Sequence, residues 1–365
     1  MNVLIFVLIL LVLVLVHEAG HFFSAKYFGI RVDEFGFGWP PKLFGFKRGE
    51  TEYTINALPI GGFVKIFGED PDDENTNGPD RNRSFVHKPK WQQAIVLFAG
   101  IFMNFVLAWL LFSIGFMSGL PTSTSGASPN VKVENAQLTI VSVLPDSPAA
   151  LSGLTTGDKL LYLTSGTNTT DILNPETVKD FIVSHGDQEI EIGYLRGSSD
   201  ATEFLRLTPT LTDGANPTIG IAMDEIGIAK LSFFPAFWEG LKLTWNVTKG
   251  TAVGLYTLVV DGIQGKGNFA SVAGPVGMVG IVGDATKFGF AYLISFAALI
   301  SVNLAIINLI PFPALDGGRL LFLLIEKIKG SRISPKIANT ANMIGFAVLI
   351  GLMLVVTYHD IVKLF

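Results

Sequence analysis

Val16-His17-Glu18-Ala19-Gly20-His21 sets two histidines four residues apart with a glutamate between them. On a helix, positions i and i+4 share a face. The two imidazoles can therefore meet one metal ion, with Glu18 beside them as a general base. The stretch lies inside an apolar run from Met1 to Phe23, built from Val, Leu, Ile and Phe. About 20 apolar residues are enough to cross a bilayer as a helix. An ionisable group at the bilayer centre costs roughly 2.5–3.5 kcal/mol on insertion scales. Three such groups on adjacent turns need a compensating partner, and a metal in a protein-lined cavity supplies one. The bland alternative is a chance match, which this location disfavours.

The rest of the composition agrees with a membrane protein. Over 365 residues only 16% are charged, and the mean hydropathy is +0.47. That is too apolar for an ordinary soluble protein and points to a polytopic α-helical membrane protein with a soluble insert. A net charge of −5 gives no reason to expect nucleic acid as a partner. With no cysteine, disulfides and thiolate ligands are excluded, so any metal is held by His and carboxylate. No Lys or Arg precedes Lys26, so the start does not read as a cleaved signal peptide.

Four spans are expected, at about Met1–Phe23, Ala94–Gly119, Phe288–Ile310 and Ala341–Thr357. Residues 1–120 form a first membrane half, including a cytoplasmic loop. In that loop, Thr51–Asn56 and Leu58–Ile66 are short β-like runs around Pro59 and Gly61-Gly62, which suggest a hairpin. An ordinary surface hairpin reads equally well. Residues 127–224 alternate as short strands, with Ser147-Pro148-Ala149-Ala150 opening a helix and Gly157-Asp158 a turn. This β-rich pattern resembles a PDZ domain, which takes extended peptide on a sheet edge. A β-rich spacer is the alternative. Residues 225–287 give an amphipathic or interfacial helix, Phe233–Ile263, and a Gly-rich loop. Residues 288–365 form the second membrane half.

Basic residues test the topology. Lys26, Arg31, Lys88 and Lys90 flank one short loop, and Arg319, Lys327, Lys329, Arg332 and Lys336 fill another. The positive-inside rule puts both in the cytoplasm and the β-rich domain outside. His17, His21 and Asp316 then share a depth, provided Phe233–Ile263 does not cross. Asp316 alone reads as a turn residue before Gly317-Gly318. Pro311 and Pro313 change the odds, because broken helices at membrane depth line protein-enclosed cavities. His17, His21 and Asp316 would leave one position of a zinc site for water. Asn303 and Asn308 lie near the same end of the third span. Asn308 could bond a substrate backbone or an oxyanion, or equally a neighbouring helix.

In this order, His17-Glu18-Ala19-Gly20-His21, Leu58-Pro59-Ile60-Gly61-Gly62-Phe63-Val64-Lys65, the PDZ-like insert and Asn308-Leu309-Ile310-Pro311-Phe312-Pro313-Ala314-Leu315-Asp316-Gly317-Gly318 resemble a bacterial site-2 protease of the regulator-of-sigma-E type. The resemblance implies a zinc-dependent intramembrane endopeptidase of the bacterial cytoplasmic (inner) membrane. Asp316 would be the third Zn2+ ligand. A membrane-associated β-hairpin would pair Gly61, Gly62 and Phe63 with unwound substrate, and Asn303 and Asn308 would handle it. The implied partners are the lipid bilayer and single-span membrane proteins already trimmed by an upstream site-1 protease, such as anti-sigma factors or remnant signal peptides. Two departures stand out. Larger relatives carry two PDZ domains and this chain shows one, and Ile101 follows Ala99-Gly100 where the family often has Pro. The competing readings are a catalytically silent PDZ membrane adaptor and, less well supported, a metal or proton transporter.

Overall fold

A helix that is apolar all round has no face to offer water, and α1 (Asn2–Tyr27) is such a helix. Its 26 residues span about 39 Å at 1.5 Å per residue, more than the ~30 Å of a bilayer's hydrocarbon core. The computed structural model describes residues 1–70, 73–129, 131–171, 173–197, 201–211, 216–265 and 274–362. The chain divides into two compact units. The first comprises Met1–Ser113, Gly240–Asp284 and Ile294–Phe365, and the second Ile114–Glu239 and Ala285–Leu293.

After α1 the chain turns through Gly29, at φ 65°, into two long bent strands, β1 (Val32–Arg48) and β2 (Thr51–Ile66). They pair twice. Phe35 faces both Val64 and Tyr53, and Gly36 faces both Phe63 and Thr54. Beyond the bend, Phe46 pairs with Tyr53 from the other side. The first half of β1 is therefore flanked by both halves of β2. This corrects the expected pairing: Thr51–Asn56 and Leu58–Ile66 do not pair with each other but lie on opposite sides of β1. Among the described residues, residues 62–66 are β-paired on one side only. Trp39, Phe44, Phe46 and Leu58 are exposed large apolar side chains on this sheet. A short helix α2 (Asp73–Asn77) and the apolar α3 (Lys90–Ser118) follow.

The second unit is β-rich. Its strands are β3 (Leu120–Ser123), β4 (Val133–Val143), β5 (Lys159–Ser165), β6 (Asn168–Thr170), β7 (Ile190–Leu195), β8 (Glu203–Leu207), β9 (Thr210–Leu211), β10 (Pro217–Thr218) and β11 (Ile221–Ala229). The main sheet runs β3-β11-β4-β5-β7-β8, with β6 on β5. Alternation buries Leu138 with Ile140 and Ile190 with Ile192, and a register irregularity in β5 turns both Leu160 and Leu163 to the same core, with Val178 and Ile182. The last two come from α5 (Pro175–Ser184), which follows the one-turn α4 (Pro148–Leu151). Asn174 and Thr177 close a reciprocal capping box at the start of α5. Asp158, 1% exposed, accepts from two Arg196 nitrogens, Nε at 2.8 Å and Nη2 at 2.7 Å.

The chain continues through α6 (Phe233–Ile263), α7 (Pro275–Phe288), α8 (Phe290–Leu309), α9 (Asp316–Lys329) and α10 (Pro335–Val362). Of the expected Gly-rich loop, residues 273–280, residue 273 lies outside the described residues and residues 275–280 begin helix α7 instead of forming a loop, a correction to the sequence reading. Among the described residues, α1, α3, α8 and α10 are the four helices long and apolar enough to cross a membrane. The α6 helix is not one of them, although Trp238, Trp245 and Tyr256 on it are exposed. Within the first unit, Ala108, Phe112, Ala298, Val302 and Ile306 pack α3 against α8. The Asp360 carboxylate of α10 accepts from the backbone N–H groups of Gly274 (3.1 Å) and Gly277 (2.8 Å), capping the start of α7.

Candidate metal centre

The geometry starts from glycines. A Cβ at Gly20 would land on the Ala99 carbonyl, and one at Gly100 on the His21 and His17 rings. Without side chains at these two positions, α1 and α3 approach closely, as small residues allow between apolar helices. Three residues of α3 at spacing four then face the histidines. The Val96 carbonyl accepts from His21 Nδ1 at 2.8 Å, and the Asn104 side chain meets His17 Nδ1 at 3.2 Å. Gly100, between them, supplies the room. Ser301 of α8 donates to the Asn104 carbonyl at 2.7 Å, tying the third helix in.

Asp316 arrives differently. Helix α8 ends at Leu309, and Pro311 and Pro313 prevent its continuation. The turn passes through Ala314 at φ 74° and is clasped by α10, where Asn342 Oδ1 accepts from the Ala314 N–H at 3.1 Å. A Cβ at Gly317 or Gly318 would strike the Ile310 or Phe312 carbonyl, and one at Gly345 the Pro313 carbonyl. The Gly-Gly pair after Asp316 is thus required by packing. Asp316 opens α9, where the helix N-terminus suits a carboxylate.

The three ligand candidates converge. Asp316 Oδ2 is 3.0 Å from His17 Nε2 and 3.3 Å from His21 Nε2, and the two Nε2 atoms are 3.2 Å apart. Tetrahedral zinc with ligands at about 2.0–2.1 Å separates them by about 3.3 Å. The protonation pattern also fits. A carbonyl only accepts, so His21 Nδ1 carries the proton and the neutral ring presents a lone pair at Nε2. Amide oxygen and nitrogen are interchangeable in placement. Asn104 Oδ1 is buried without a hydrogen-bond partner, so turning the amide lets it accept from His17 Nδ1 in the same way. Asp316 Oδ2 is likewise buried with no hydrogen-bond partner. With both Nε2 atoms unprotonated, three acceptors face one another, and a cation would satisfy them. His17, His21 and Asp316 can hold one, and their donor set suits zinc.

A cavity of about 210 Å³ opens here, lined by His17, Glu18, His21, Phe63, Asp316 and Arg319 among others. Glu18 and Phe63 thus line the same cavity as His17, His21 and Asp316. A Cβ at Gly62 would press on the Gly36 carbonyl at 3.2 Å and lie 3.6 Å from Glu18 Cγ, an ordinary contact that places this residue beside α1. Gly61, at φ 79°, is nearest the Trp39 indole. Asn303 and Asn308 are half-buried on α8 and do not line the cavity. Sequence reasoning missed Val96 and Gly100, and gave Asn104 no contact. Of the three, only Asn104, the one clearly polar residue in the middle of the second apolar run, left a signal in the sequence. It also missed Glu69, ion-paired to Arg319 at the cavity wall. Burial holds the Glu69 carboxyl above the usual carboxylate range, against the pull of Arg319.

The sequence matches the profile of peptidase family M50 over residues 5–352. The chain belongs to that family. A Clostridium perfringens protein named as a zinc metalloprotease is 37% identical over 353 residues, covering 96% of this chain and 95% of its own. Zinc metalloprotease RasP of Bacillus licheniformis is 31% identical, with 100% and 99% covered. The regulator of sigma-W protease RasP of Bacillus subtilis is also 31% identical, with the same coverage. This M50 member is a zinc metalloendopeptidase of the site-2 protease type, and a membrane protein.

Proposed function

We propose that His17, His21 and Asp316 hold the zinc and that Glu18 moves the proton in hydrolysis of peptide bonds within or near the membrane span of single-span proteins. The observation that carries this is the meeting of three buried acceptor atoms, backed by Val96 and Asn104, in one cavity with Glu18. Zinc held there supplies a Lewis acid that acidifies water and polarises a carbonyl. Glu18 takes a proton from the attacking water and returns it to the leaving amine. Residues 62–66 of β2 run beside this cavity and, among the described residues, are paired on one side only, which suits strand addition by an unwound substrate. Pairing would hold extended a bond that a helix keeps shielded. A substrate role for Asn303 and Asn308 rests on the sequence resemblance alone.

The cellular setting follows from the same reading. The apolar helices sit in the bacterial cytoplasmic membrane, with the metal toward the cytoplasm and the PDZ-like region, residues 127–224, outside. The exposed aromatic residues of β1 and β2 rest against lipid. The Bacillus subtilis relative is named for regulating sigma-W, and regulated intramembrane proteolysis of a membrane-bound regulator, after a site-1 cut, is the role this supports here. The silent-adaptor reading leaves the converging ligands without purpose. The test is co-expression with a single-span reporter. The wild-type chain is expected to cleave it and the Glu18→Gln chain to bind zinc without cleaving. Equal cleavage by both sinks the assignment.

A further inference from the structure

The catalytic cavity is small for a polypeptide substrate. Its 210 Å³ lies below the roughly 300–1,000 Å³ of pockets that enclose a drug-sized ligand. An extended chain advances about 3.3–3.6 Å per residue, so a substrate held at the metal leaves this cavity within a few residues. Two neighbouring spaces can take it. One, of about 420 Å³, follows β2 and shares Phe63, Val64, Ile66, Glu69 and Arg319 with the catalytic cavity. It belongs with the strand pairing already described. The other, of about 580 Å³, shares only Glu69 and Arg319. Those two side chains are ion-paired, so their contact stands where the two cavities meet.

The larger cavity has the lining of a peptide site. Lys90 is paired with Glu326 and Arg319 with Glu69, so four of its charges cancel. Asn339 and the amide nitrogen of Asn342 offer polar groups that can bond a backbone, over apolar Phe322 and Leu323. Arg319 carries five N–H donors that can pass from Glu69 to a carbonyl going by.

We propose that the 580 Å³ cavity receives the substrate segment just beyond the scissile bond, and that the Arg319–Glu69 pair is the gate it passes. This rests on the protease reading above, so the test separates the two. The chain has no cysteine, which makes single-cysteine cross-linking free of background. In full-length Glu18→Gln protein in membranes, Lys65→Cys probes the β2 groove and Asn339→Cys the larger cavity. The probe is a single-span reporter carrying one cysteine at successive positions around its scissile bond. Asn339→Cys is expected to trap cysteines about three to six residues to one side of that bond. Cross-links at Lys65→Cys with none at Asn339→Cys overturn the inference and leave the protease reading standing. Cross-links at neither overturn the inference and, with it, the pairing of substrate along β2. In the otherwise wild-type enzyme, Asn339→Trp is expected to lower kcat/KM about tenfold for a reporter with a full tail. It should leave a reporter truncated just past the bond unchanged. Equal loss on both, or loss on neither, overturns the proposal.

Discussion

The proposed metal site draws on two regions that follow opposite rules. Helix α1 delivers His17 and His21 by regularity: one turn of unbroken helix puts both rings on one face, and α3 locks them. The segment from Ile310 to Leu315 delivers Asp316 by irregularity. Two prolines, a left-handed Ala314 and a pair of glycines fold the chain back so that a carboxylate reaches the same point. The ligands from a regular helix need a close neighbour to aim them. The ligand from a broken one needs a clasp, which Asn342 and Gly345 of α10 provide.

Removing ligands strains that comparison most. His21→Ala and Asp316→Asn are each expected to abolish stoichiometric zinc, read by metal analysis of purified protein. If only the histidine variant loses metal, Asp316 is not an equal partner. Gly100→Ala comes next, since its methyl group would sit on the His21 ring. We expect at least a tenfold loss of zinc affinity, roughly the 10–100-fold seen when groups behind a ligand are disturbed. Asn104→Ala leaves the helix approach intact and removes one orienting contact, so about tenfold is expected, by zinc competition with a chelator. Asn342→Ala removes one hydrogen bond from the Asp316 turn. It should cost about 1 kcal/mol, measurable as a lowered midpoint of denaturant unfolding, with a smaller effect on zinc than Asn104→Ala. The reverse ranking would mean that the clasp on the turn matters more than the lock on the helix.

The regular half was the legible half. Two histidines at spacing four in an apolar run announce their shared face, and four apolar runs announce the helices. The second and third of these lie within a few residues of α3 and α8, while α10 begins earlier, at Pro335. Strand alternation likewise exposed the β-rich stretch, residues 127–224, that carries β4 and β8. The β1–β2 sheet was harder to read. Nothing local says that Phe35 pairs on both sides, because one strand's bend decides which partner its halves find. Asn104 was visible as a lone polar residue in a span, but its partner lies 87 positions away. Val96 contributes through its backbone, which no side-chain pattern encodes. Gly100 carries its meaning by lacking a side chain, and that meaning exists only once α1 is beside it.

That last point has a consequence for how this protein tolerates change. Gly20, Gly100, Gly317, Gly318 and Gly345 all sit where one added methyl group meets backbone or a ligand ring. None of them has a reactive group. In a saturation scan scored by activity, these silent positions should be as unforgiving as His17, Glu18, His21 and Asp316. The sequence would then be constrained as much by where atoms must be missing as by where chemistry must be present.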